Sequence, residues 1–267
     1  MQGIDVSEYQ PANIGALVPY DFLIAKGTEG ASYVNPYHAE QVGDALARGR
    51  QAGLYHFAHG GTVSAEADAF AAVYAPFRGR AVPILDWEAG ALAAGTTWAY
   101  AMLDAMQARC GVRPLLYGSL SVIGALAGAR WVAAYGSNPV TVGYQNAAQA
   151  GGGIMRQYTS RGRLPGYGGD LDLNQFYGTA ADWQNMVGGT PAATPTSKGH
   201  RTVYVFTQPV DGSGTIYVSN IETGKRVAIQ SIQHYTLLVR YTHAQDAATA
   251  FYQAEIDICE WYLSQIR

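Results

Sequence analysis

The sequence predicts an α/β protein: an irregular, TIM-like (β/α) barrel of eight strands with too few helices, followed by a small α+β domain of antiparallel sheet and one helix. Three observations carry this expectation. Short apolar runs alternate with helix-sized segments through about the first 180 residues, the pattern of strands joined by crossover helices. The last three runs leave little room for helices between them. A stretch without periodicity, GGTPAATPTSKG at 188–199, then separates this part from a tail of shorter runs joined by turn residues.

The expected strands are residues 3–7, 22–28, 53–58, 82–88, 114–118, 131–135, 155–159 and 171–176, each a β-prone apolar run. Helical patterns fit residues 36–48, 64–76, 97–109 and 119–127, and residues 11–20 hold a short helix or turn. Residues 138–153 and 160–170 read as loops. Strands separated by helix-sized segments suggest a parallel sheet. Eight of them suggest a closed ring, although a barrel with eight full helices takes about 250 residues; a truncated barrel accounts for both the count and the shortage. A doubly wound open sheet is the rival. In the tail, runs at 202–206, 215–219, 226–230 and 235–240 read as an antiparallel meander. From Asp246 the period changes: Ala247, Phe251, Ala254, Ile258, Tyr262 and Ile266 recur every three or four residues, which predicts one helix laid over that sheet. The expected organisation is therefore a barrel at 1–187, a linker at 188–200 and a second domain at 201–267.

Composition narrows the function. Of 267 residues, 48% are hydrophobic, which excludes disorder, and only 14% are charged, with a net charge of -3. Such a chain has no global attraction for nucleic acid or anionic lipid. A polymer must instead be gripped by shape, hydrogen bonds and rings, and 19 Tyr and 5 Trp supply the rings. Cys110 and Cys259 are expected as two buried thiols rather than a bridge. Met1 is followed almost at once by a strand, so no secretion signal is expected, and no run approaches a membrane span.

The informative segment is Pro83-Ile84-Leu85-Asp86-Trp87-Glu88, an apolar strand ending in two carboxylates at i and i+2. Strand period two puts both on one side, roughly 7 Å apart at Cα. At the C-terminal end of a barrel strand that side faces the mouth. Two close carboxylates in unlike environments split their pKa values, as glycoside hydrolysis requires: one protonates the leaving oxygen, the other faces an oxocarbenium-like centre. Taken alone, the pair also fits a solvated strand end or a cation site. In a closed ring, however, Asp5 on the first strand and Asp172 on the last converge on the same mouth. Glu29 either joins the rim or caps the following turn. His56 and His59 lack a third defined ligand, so no metal is expected, and no cofactor motif is present.

With these segments the chain resembles the family 25 glycoside hydrolases, the Chalaropsis-type lysozymes and phage endolysins that cut peptidoglycan. The likeness is carried by Gly3-Ile4-Asp5-Val6-Ser7, by Phe22 to Gly30 (FLIAKGTEG), by Gly53-Leu54-Tyr55-His56-Phe57-Ala58 and by Ile84-Leu85-Asp86-Trp87-Glu88. It continues through Leu116-Tyr117, Trp131-Val132-Ala133-Ala134-Tyr135, Gln157-Tyr158-Thr159 and Asp172-Leu173-Asn174-Gln175-Phe176. The resemblance implies an eight-stranded barrel with about five helices. It also implies cleavage with retention of the β-1,4 bond from N-acetylmuramic acid to N-acetylglucosamine, with Glu88 as acid/base. Asp86 is then the electrostatic or substrate-orienting partner, while Asp5 and Asp172 complete an acidic floor. One departure is Tyr9, where the family commonly has Trp.

For substrate binding, Tyr55, Trp87, Tyr117, Tyr135 and Gln157 are the candidates near the mouth; core packing is an equal reading for Tyr117 and Tyr135, and Trp131 is expected to be structural. The implied protein is an endolysin made in the host cytoplasm and released to the wall, acting on peptidoglycan glycan strands without membrane insertion. Its second domain is expected to bind the wall or to form homo-oligomers. The alternatives are a catalytically silent wall-binding barrel and a virion-associated wall protein.

Overall fold

The computed structural model describes residues 1–124 and 126–188, together with the backbone of 204–207, 217–220 and 226–228. They belong to two compact units. The strands of the first are β1 (Gln2–Val6), β2 (Phe22–Glu29), β3 (Tyr33–Val34), β4 (Gln51–Phe57), β5 (Ala81–Asp86), β6 (Leu115–Ser119), β7 (Arg130–Ala133), β8 (Thr141–Val142), β9 (Met155–Arg163) and β10 (Leu171–Phe176). All but the two-residue β3 and β8 form a closed ring of eight. Its helices are α1 (Ile14–Leu17), α2 (His38–Ala47), α3 (Val63–Tyr74), α4 (Gly95–Cys110), α5 (Leu120–Ile123) and α6 (Ala180–Gly188). None of the described helices is long and apolar enough to cross a membrane.

Seven ring strands are mutually parallel from β1 round to β9. The parallel expectation fails for the eighth. β10 runs antiparallel to both β9 and β1 and closes the ring between them. The reason is loop length: residues 164–170 make a hairpin connection, too short for the crossover that a parallel return needs. The start of β10 therefore lies at the same end of the ring as the finish of every other strand. Inside, Phe22, Ile24, Val82, Ile84, Leu115 and Met155 form the buried core.

The helix expected at 119–127 shrinks to the single turn of α5. In compensation, α6 appears where no helix was expected. Thr179 and Asp182 start it with a reciprocal cap: the Asp182 carboxylate accepts from the Thr179 N–H at 2.8 Å, and the Thr179 hydroxyl accepts from the Asp182 N–H at 3.2 Å. The helix delivers Trp183, fully buried, against Phe22 at 4.8 Å and Phe176 at 5.3 Å between ring centroids. The indole N–H donates to the Ala52 carbonyl at 3.2 Å. Phe22 and Ala52 begin their strands and Phe176 ends the reversed one, so α6 seals the end of the ring opposite the mouth.

In the second unit, β11 (Tyr204–Thr207), β12 (Tyr217–Asn220) and β13 (Arg226–Ala228) form an antiparallel meander in sequence order. The fourth expected strand at 235–240, the helix from Asp246, Cys259 and linker residues 189–200 lie outside the described residues. Cys110 is a buried free thiol.

Candidate active site

β5 delivers Asp86 as its last residue, beside Phe57 of β4 and Tyr117 of β6. Backbone bonds pin this strand end: the Ala58 N–H donates to the Asp86 carbonyl and the Trp87 N–H to the Tyr117 carbonyl, both at 3.0 Å. Glu88 remains extended (φ -147, ψ -170), so the two-residue period keeps both carboxyls on the cavity side. The same period turns Trp87 away from the cavity. It is 3% exposed, and its indole donates to the Ala91 carbonyl at 3.0 Å, so it packs behind the site instead of lining it. After Glu88 the chain turns through Ala89 at φ 47, a left-handed conformation that costs a residue with a Cβ about 1 kcal/mol. A 3-10 helix at Ala89–Ala94 holds that turn.

Asp5 and Asp172 are direct partners across the antiparallel β1–β10 ladder. One oxygen of the buried Asp5 accepts from Gln157 at 2.7 Å and Asn174 at 2.6 Å. Asn174 in turn accepts from the Trp131 indole at 2.8 Å. The Gln157 carbonyl accepts from Tyr117 at 2.7 Å and also from Tyr135. This network rests on both faces of the ring closure, and it explains why polar residues occupy the inside of β9 and β10.

These groups surround one cavity of about 310 Å³. Asp5, Asp86, Glu88 and Asp172 line it together with Tyr55, Tyr117, Tyr135 and Gln157. Trp131, read from the sequence as structural, is both buried core and cavity wall. Gln157 is largely engaged in fixing Asp5 and the two tyrosines. Lys26 and Tyr9 also reach the cavity. The sequence carried a signal for Lys26, because an ammonium inside the apolar run FLIAKGT demands an ion-pair partner. That partner is Glu29, whose other oxygen takes the His59 ring at 2.9 Å. His56 is fully buried between Thr28 at 2.8 Å and Glu66 at 2.9 Å. Glu66, which no motif signalled, also accepts the backbone N–H groups of His59 and Gly61.

Crowding four acids out of water raises all of them. Burial alone pushes Glu88 up. Burial, then the charges of Glu88 and Asp5, push Asp86 well above the carboxylate range, and one buried Asp86 oxygen has no hydrogen-bond partner. Burial also dominates at Asp5, where bonds from Asn174 and Gln157 oppose it, leaving a value of about 6. Asp172 is pushed to about 9 by burial and by the Asp5 and Glu88 charges. The unlike environments expected of the Asp86–Glu88 pair are present, with Asp86 the more deeply desolvated of the two.

A closed strand barrel whose mouth holds paired, unequally buried carboxyls walled by aromatic rings has the arrangement that glycoside hydrolysis requires. Residues 4–167 match glycosyl hydrolases family 25, and the chain belongs to that family. Over 138 residues it is 36% identical to the N,O-diacetylmuramidase of a Chalaropsis species, a match covering 44% of this chain and 65% of that enzyme's length. Among solved structures it is similar to the bacterial lysozyme of Streptomyces coelicolor, with a TM-score of 0.56, 25% identity and coverage of 71% of this chain and 98% of that one. The catalytic domain of an endolysin from a Listeria monocytogenes bacteriophage shares the fold, with a TM-score of 0.57, 22% identity and coverage of 70% and 97%.

Proposed function

We propose that this protein is a muramidase: it hydrolyses the β-1,4 bond between N-acetylmuramic acid and N-acetylglucosamine in bacterial peptidoglycan, with retention. The observation that carries the reading is Asp86 and Glu88 facing one ring-walled cavity, with an unpartnered buried oxygen on Asp86. Glu88 is held up by burial, which suits a carboxyl that must donate a proton to a poor alkoxide leaving group and then recover it from water. Asp86 faces the developing positive charge or the N–H of the substrate's 2-acetamido group. Either one favours the carboxylate form and supplies what the empty cavity withholds. Asp5 and Asp172 form the floor, and Tyr55, Tyr117 and Tyr135 offer rings to the sugar faces.

The fuller reading is a phage endolysin, made in the host cytoplasm and acting at the wall, with a barrel at 1–187, a linker at 188–200 and a wall-binding or self-associating module at 201–267. A separately folded module on such a linker raises the local concentration of the barrel at an insoluble polymer. Truncation after Gly188 is expected to spare cleavage of small soluble glycan fragments and weaken lysis of intact walls; light scattering of both forms separates wall binding from self-association. Equal lysis, equal wall pull-down and a monomeric full-length protein would together leave the module without either role.

The deciding experiment on the reaction is mass spectrometry of digested purified peptidoglycan, where reducing muramic acid ends are expected and reducing glucosamine ends would refute the assignment. Glu88→Gln should fold normally and lose about 10²-fold or more in turnover, because the amide keeps the shape without the proton. Near-normal digestion by a folded E88Q protein would remove Glu88 from the mechanism.

A further inference from the structure

Lys26 is an ammonium in a cavity otherwise charged by acids. Its side chain is 9% exposed and its nitrogen pairs with Glu29 while lying 3.9 Å from a Glu8 oxygen. It sits over the rings of Tyr33 and Phe57, at 5.3 Å and 5.1 Å from their centroids. Strand β2 presents it beside Tyr55 of β4, whose next-but-one residue Phe57 is the partner of Asp86 on β5. The ammonium is thus fixed by two carboxylates and two rings on the wall that adjoins Asp86. A lysine placed only for solubility would not be buried this way.

Four acids in one desolvated cavity cannot all ionise, so a fixed positive charge bears on which of them does. We propose that Lys26 is a positioning residue for the hydrolysis: pinned by Glu29 at the wall of the same cavity, its charge offsets part of the crowding that disfavours the Asp86 carboxylate and so eases the ionised form that the reaction uses. This rests on the muramidase reading and adds to it a group that supports the ionised partner. The charged and titratable neighbours of this corner are Asp5 and Glu8 from β1 and its loop, and Glu29 and Tyr33 from β2 and β3. Tyr55 and His59 follow from β4 and its loop, Glu88 from beyond β5, Tyr117 from β6 and Asp172 from β10. Among the groups acting on Asp86, burial, Glu88, Asp5 and Glu29 push it up, and Lys26 pulls it down.

The productive form has Asp86 ionised and Glu88 protonated; the unproductive tautomer has the reverse. Their ratio follows the difference between the two affinities for the proton, so it changes about tenfold for each unit by which Asp86 rises. The test uses the full chain with carbon-13 labelled Asp and Glu carboxyls, titrated by NMR without substrate, with the Asp86 signal identified by its loss in Asp86→Asn. Lys26→Met should move the Asp86 titration to higher pH by about one unit and lower kcat on soluble glycan fragments about tenfold, with a smaller change in KM. Lys26→Arg should restore the titration. Glu29→Gln removes a negative neighbour and leaves the ammonium, so it should move Asp86 the opposite way, to lower pH; this variant decides the matter if K26M fails to fold. An Asp86 titration unmoved in K26M, or moved in the same direction by K26M and E29Q, would overturn the proposal. Because the titration needs no turnover, absence of muramidase activity in the parent protein would count against the reaction assigned above and not against this role.

Discussion

Replacing Asp172 by Asn should make the barrel more stable at neutral pH although it alters the candidate active site. The Asp172 carboxyl is raised from 3.8 to about 9, by burial first and then by the Asp5 and Glu88 charges. A carboxyl raised in the folded state binds its proton more tightly there than in the unfolded chain. Its stabilising contribution is therefore complete below the unfolded value and is lost as pH climbs from 3.8 toward 9. Each pH unit in that window removes about 1.4 kcal/mol. From about pH 4 to about pH 7 the ceiling is about 4 kcal/mol, and screening at this partly exposed rim position reduces it to about 2 kcal/mol. Asn has no proton to lose, so the slope disappears. Asn also fits locally, whereas Asp5→Asn would set an amide against the donors Gln157 and Asn174. Urea unfolding followed by tryptophan fluorescence is the assay, because Trp87, Trp131 and Trp183 are buried in the barrel. The stability difference between D172N and the parent should grow by about 2 kcal/mol between about pH 4 and about pH 7. Parallel pH dependences for the two proteins would refute the claim that Asp172 is held protonated by its surroundings.

Two further expectations concern the supports of the site. Trp183→Ala leaves a void among Phe22, Phe176 and the Ala52 carbonyl and should cost about 3–5 kcal/mol, read as a lower midpoint in the same urea assay; a loss under about 1 kcal/mol would mean that α6 does not seal the ring. Glu66→Ala strands the buried His56 ring and two backbone N–H groups, an expected loss of about 3 kcal/mol or more. Glu66→Gln, which keeps the volume and one acceptor oxygen, should lose clearly less, and equal losses in the two variants would show that only the full carboxylate matters there, not its volume or a single acceptor.

The sequence by itself determined the strand count of the ring and the position of Asp86 and Glu88 at a strand end, because these are local properties: period two and an apolar run ending in acids. Trp87 shows the limit of reading by proximity. It lies between the two acids in sequence, and the same period that joins them turns it out of the cavity, while Trp131, distant in sequence, forms the wall. Only the tertiary structure decided the direction of β10. Had that strand run parallel, Asp172, its second residue, would sit at the sealed end; reversed, it becomes the ladder partner of Asp5 at the mouth. The Trp131–Asn174–Asp5–Gln157 network was likewise out of reach, since its members come from four strands and meet only when the ring closes. Lys26 lies between these cases. Its need for a partner is written in the apolar run around it, but the identity of that partner, and the acid on which its charge acts, depend on how β2, β4 and β5 register side by side. Local pattern fixes which face a side chain takes; ring closure fixes which charges share a cavity, and desolvation there gives each carboxyl its chemistry.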